Sequence, residues 1–157
     1  MLRDDDDGSL TLLIIGYTLI AALLIVVGVD VSKVFLAQRS LSSAADAAAL
    51  AGAQAVDRAS IYSDGVGCSD LPVDPSSAQE AVNASVGDAA DNLRSTFVSL
   101  AEPEVRVQAG TVQVQLDGEV SVPFGGVLAV LLPDHPDGHV GVSAVSAATS
   151  ALTSPSC

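Results

Sequence analysis

Residues 10–29 read LTLLIIGYTLIAALLIVVGV, and this run decides the fold. It holds no charge and no proline. Twenty residues at 1.5 Å each span roughly 30 Å, the thickness of a bilayer's hydrocarbon core. The run is too long for the apolar stretch of a secretory signal, which measures about 7–15 residues. No good cleavage site follows it closely either, since Val29-Asp30-Val31-Ser32-Lys33 comes next. The expectation is a retained transmembrane helix over residues 9–29, preceded by an acidic tail over 1–8.

Working outward, the helical pattern does not stop at Asp30. Val34, Gln38, Leu41, Ala45, Ala48 and Gly52 fall on one heptad stripe whose side chains become smaller toward the C-terminal end. Small residues let another element approach closely, so this face is built for packing. The stripe predicts a stalk helix over 30–59, ending near Arg58 and making the whole helix roughly 70 Å long. A helix of that length needs company, from its own head or from other subunits.

Residues 60–75 are rich in Gly, Ser, Asp and Pro and read as a loop carrying Cys68. The remaining fold, over 76–149, is read as a helix plus three or four antiparallel strands, with a polar tail over 150–157. The helix is expected to start at Ser76 or Ser77, with Glu80 completing a capping box. Pro103 bounds it near Ala101. Its apolar face runs through Ala78, Ala81, Val82, Val86, Ala89, Ala90, Leu93, Phe97 and Leu100.

The period then changes to two. With Ala109-Gly110 as a two-residue loop, Val107 faces Val112 and Val105 faces Val114. A further three-residue turn over 117–119 is expected to align Leu116 with Val120, Val114 with Val122 and Val112 with Phe124. A short apolar segment over 124–132 and a polar loop over 133–138 lead to a last strand in His139–Ser146. The fold class is therefore α+β: a long N-terminal helix, and a second helix packed on a small antiparallel sheet.

Composition narrows the function. The chain has 157 residues and six Lys+Arg against nineteen Asp+Glu, a net charge of −13. That balance argues against a nucleic-acid partner, whose phosphates need basic side chains. Aromatic residues are 3% and tryptophan is absent, so a stacking or aromatic-lined small-molecule site is poorly served. Arg3 lies on one side of the run, Lys33 and Arg39 on the other. Counting cations alone would put the C-terminal side in the cytoplasm. Large domains cross largely regardless of charge, however, and Cys68 and Cys157 read as a disulfide pair in an oxidising compartment. The expected orientation is N-terminus in, head out.

No constellation for catalysis stands out. Asp134-His135-Pro136-Asp137-Gly138-His139 has metal-ligand residue types, but its Pro and Gly content reads as an inter-strand turn. Neither a Gly-x-Ser-x-Gly elbow nor a phosphate-binding Gly-x-x-x-x-Gly-Lys loop occurs. Asp30-Val31-Ser32 begins a metal motif that Val34 then breaks. Asp4 to Asp7 read as a solvated tail, and Asn83-Ala84-Ser85 lies mid-helix. The expectation is no enzyme, no cofactor and no metal.

One resemblance covers about residues 8–56. Gly8-Ser9-Leu10-Thr11, then Val29-Asp30-Val31-Ser32-Lys33-Val34-Phe35-Leu36-Ala37-Gln38-Arg39, then Ala44-Ala45-Asp46-Ala47-Ala48-Ala49-Leu50-Ala51-Gly52-Ala53 resembles the N-terminal region of TadE/TadG-like proteins. These are assembly proteins of the tight-adherence (Flp, type IVc) pilus. The resemblance implies a short form, without a von Willebrand A domain, anchored in the inner membrane. It also implies a pilin-like head outside the cytoplasm and other pilin-like or Tad subunits as partners, besides the lipid bilayer. Val34, Leu41, Ala45, Ala48 and Gly52 would form the helix-packing interface, and Gly8-Ser9 a processing site. Members processed there carry a glutamate where this chain has Leu13. The competing reading is a membrane-tethered binding or sensor protein.

Overall fold

The computed structural model describes residues 6–56, 73–108, 110–125 and 138–150. The first element, α1, is a single helix over Asp6–Ala53, 48 residues long, or about 72 Å at 1.5 Å per residue. Nothing between the apolar run and the alanine-rich stretch breaks it, because proline is absent and alanine has the best helix propensity. It stops short of the expected end near Arg58. The amides of Gln54 and Ala55 turn back to Ala51 and Gly52 in tighter three-residue steps. Val56 then bridges to Val73, and Asp74 N–H donates to Ala55 O at 3.3 Å. This closure, not a helix-breaking residue, ends the helix.

The second helix, α2, covers Pro75–Thr96. Its cap is Asp74, ahead of the expected serines: Asp74 Oδ2 accepts the Ser77 N–H at 2.9 Å, and Pro75 takes the first position, where no N–H is needed. Ser76 and Ser77 turn their hydroxyls onto the same carboxylate at 2.6 Å each. The helix also ends earlier than Ala101. Phe97 goes extended while its N–H still donates to Leu93 O at 2.8 Å. Ser99–Leu100 then forms a short strand, β1, that the helical reading of this stretch did not anticipate.

The hydroxyls of Ser76 and Ser77, with the Ser77 amide, hold the Asp74 carboxyl down to about 2 from an ordinary 3.8. A depressed carboxyl stabilises the fold above its unfolded value and loses that contribution as pH falls through the folded one. Acid is therefore expected to loosen the start of α2 as pH drops from about 3.8 to about 2. Asp74→Asn keeps an acceptor but cannot titrate, so its amide-exchange profile at Ser77 should be flatter across that window. The cap is exposed and the effect is modest.

Three more strands complete the sheet: β2 (Glu104–Gln108), β3 (Thr111–Ser121) and β4 (His139–Thr149). The β2–β3 hairpin has the register read from the alternation, Val107 opposite Val112 and Val105 opposite Val114. Gly110, at φ 77°, supplies the left-handed turn residue. The turn expected over 117–119 does not exist. β3 continues straight through it and pairs with β4 along its whole length, from Thr111 opposite Thr149 to Ser121 opposite His139. Leu116, Val114 and Val112 thus lie opposite Ala144, Ser146 and Ala148. β1 and β2 follow one another along the other edge of β3.

α1 lies across this sheet with α2 beside it. Ala37, Leu41, Ala45, Ala48 and Ala49 from α1 are buried with Ala78, Val82 and Leu93 from α2. Val112, Val114, Leu116, Val120, Val142 and Ala144 of the sheet complete the core. The observed class is α+β, with a core of Ala, Val and Leu joined by one aromatic, Phe97.

Candidate membrane and assembly helix

The functional weight of the fold falls on α1, which has three stretches of different character along its length. From Leu10 to Ile25 the large apolar side chains are uncovered by the rest of the chain. Among the described residues this is the one helix long and apolar enough to cross a membrane.

Near the end of the run the head takes hold. Val26 and Val27 are half-buried, and Asp30 is buried at 4% exposure. Its Oδ1 accepts the backbone N–H of Phe124 at 3.2 Å, while Oδ2 is buried without a hydrogen-bond partner. Asp30 therefore ties the membrane-proximal base of the head to the helix. From sequence, Asp30 reads only as the end of the apolar run and the first residue of a broken metal motif. The available signal was that helical periodicity continues beyond it.

Higher up, Gln38 Nε2 donates to Ser143 O on β4 at 2.8 Å. The packing stripe lies inside the head. Val34 is half-buried; Leu41, Ala45, Ala48 and Gly52 are buried against α2 and the sheet. A Cβ on Gly52 would stand 2.9 Å from Val112 Cγ1 and 3.0 Å from Val82 Cγ2. These small residues serve close approach, but the element approaching is the chain's own head, so they are not open to another subunit. A groove between α1 and α2 stays open, with Leu36, Arg39, Ser43 and Ala47 on one wall and Ala89 and Asn92 on the other.

Gly8 and Ser9 lie in the first turns of α1. Cys68, Cys157 and residues 134–137 lie outside the described residues. His139 is exposed at the start of β4, and no group of three or more potential metal ligands occurs among the described residues.

Residues 8–55 match the model of the Flp pilus-assembly TadE/G-like family. That likeness covers the first helix, less than a third of the chain. The matched stretch ends within two residues of α1, so it takes in the apolar run together with the face that carries the head. No curated protein and no solved structure matches the chain.

Proposed function

We propose that this TadE/G-like chain is a membrane-anchored structural component of a Tad/Flp-type pilus or secretion apparatus, either a minor pilin-like subunit or an assembly anchor. The observation that carries the reading is that the matched segment coincides with one unbroken helix, apolar enough to span a bilayer below and core to a folded head above. The protein is a single-pass protein of the inner membrane with its N-terminus inside and its head outside the cytoplasm. Its role is structural, not catalytic. Docking of other subunits uses the upper part of the groove between α1 and α2, at Ser43, Ala47, Ala89 and Asn92, since the buried stripe is occupied.

The experiment is the intact mass of the native protein extracted from membranes without reductant. A species starting at Ser9 assigns it to the processed, pilin-like subunits that can leave the membrane. A species retaining the acidic tail assigns it to a permanent anchor. Loss of everything up to about Val29 removes both readings. A mass lighter by two hydrogens reports the Cys68–Cys157 disulfide.

A further inference from the structure

The geometry points to a second contact with the bilayer: the head is seated in the lipid interface through Val31, Phe35, Leu36 and Phe124, with Lys33 and Arg39 at the level of the lipid phosphates. This inference rests on the membrane-anchored reading above.

Apolar exposure on α1 does not stop at Val29. Val31, Phe35 and Leu36 are 62%, 66% and 62% exposed. At 100° per residue, Leu24, Val31 and Phe35 lie almost in line, so this is the uncovered face of the membrane segment carried onward. Leu10 to Leu36 measures about 39 Å, longer than a hydrocarbon core of about 30 Å but within the 40–45 Å that includes the headgroups. The surplus places Phe35 and Leu36 in the interfacial layer.

The head comes down to meet it. Val26 and Val27, in the last turn of the apolar run, are already half-buried, and Asp30 just past it is bonded to the head. Phe124, whose amide binds Asp30, is 39% exposed. A head held at that depth has its lower surface at the lipid boundary. The Phe124 amide offsets part of the cost of placing a carboxylate there, by donating to Asp30 Oδ1.

Charge agrees. Only six Lys+Arg occur in a chain of net charge −13, and two of them, Lys33 and Arg39, stand at this level. Neither has an ion-pair partner among the described residues. Long cationic side chains reaching from an apolar surface to phosphates are the usual arrangement at a bilayer interface.

The absence of tryptophan makes the test direct. Single variants Leu19→Trp, Phe35→Trp and Leu50→Trp, each at an exposed position, are placed in the full-length chain. The chain is reconstituted in phosphatidylethanolamine–phosphatidylglycerol vesicles with brominated acyl chains. The expected result is blue-shifted emission at Phe35→Trp with quenching several-fold stronger than at Leu50→Trp, approaching that at Leu19→Trp. Water-like, unquenched emission at Phe35→Trp beside a quenched Leu19→Trp overturns the seating and leaves the anchor intact. A blue shift without quenching, lost on dilution with excess lipid, means a second copy covers the face and also overturns it. An unquenched Leu19→Trp removes the anchor itself, and the seating with it.

Discussion

Leu41→Ala is expected to cost the head about 2–5 kcal/mol, the range for truncating a buried leucine, against a total stability for an ordinary domain of about 5–15 kcal/mol. The reason is specific to α1. Its other buried apolar residues, Ala37, Ala44, Ala45, Ala48, Ala49 and Ala53, are all alanines, so Leu41, with no exposed surface, is the largest side chain that the helix buries fully against the sheet and α2. Alanine neighbours have no rotamers with which to fill the cavity left behind. Pulse proteolysis of the full chain along a urea series should show the midpoint for the head falling sharply. Leu50→Ala, on an exposed position nine residues further along the same helix, should move it by less than about 0.5 kcal/mol. Equal shifts for the two variants would mean that α1 does not pack on the head through this face.

The same stripe shows what periodicity can and cannot tell. Spacing in the sequence established that Leu41, Ala45, Ala48 and Gly52 share a face and that small side chains there invite close approach. It carried no information about which surface approaches. That depends on where β3, β4 and α2 lie, and Val112 and Val82 reach Gly52 only through contacts distant in the chain. The hairpin register was legible because a tight loop with a left-handed glycine ties two alternating segments together locally. The ends of both helices were misjudged for a related reason. Neither stops at a strong local signal. α1 stops where Val56 meets Val73, and α2 where Ser99–Leu100 joins β3.

Asp30 is the sharpest case. A carboxylate next to twenty apolar residues reads as a boundary, and α1 does carry the head from there on. Its burial depends on an amide 94 residues away, and nothing local to the Asp30-Val31-Ser32 triplet announces it. By contrast, the membrane-crossing length needed no tertiary information, because it is a comparison of one run with one thickness.

Gly118→Ala is expected to destabilise the sheet by about 1–3 kcal/mol through overpacking, despite alanine's conformational advantage over glycine in a strand. Asp117-Gly118 reads as a turn, yet Gly118 lies mid-strand opposite Val142 and Leu100. Val112, Val114, Leu116, Gly118, Val120 and Val122 share one parity, so a straight strand puts them all on the buried face; the glycine is the position where a side chain has been left out. Phe97 fills the space. A Cβ there would stand 2.8 Å from Phe97 Cδ1 and 3.1 Å from Leu100 Cδ2. The ring is 6% exposed, and its backbone is held by the bond to Leu93. It cannot swing away cheaply, and β1, with two paired residues, is the element that gives. Amide exchange at Val98 and Ala101, which donate to Glu119 O and Asp117 O, should therefore accelerate first. Combining Gly118→Ala with Phe97→Leu should cost less than the two changes added, with a coupling of about 0.5–3 kcal/mol. Gly110→Ala provides the contrast: its cost comes from a φ of 77°, so Phe97→Leu should give no relief. Strict additivity at Gly118 would mean that its glycine serves the backbone and not the ring.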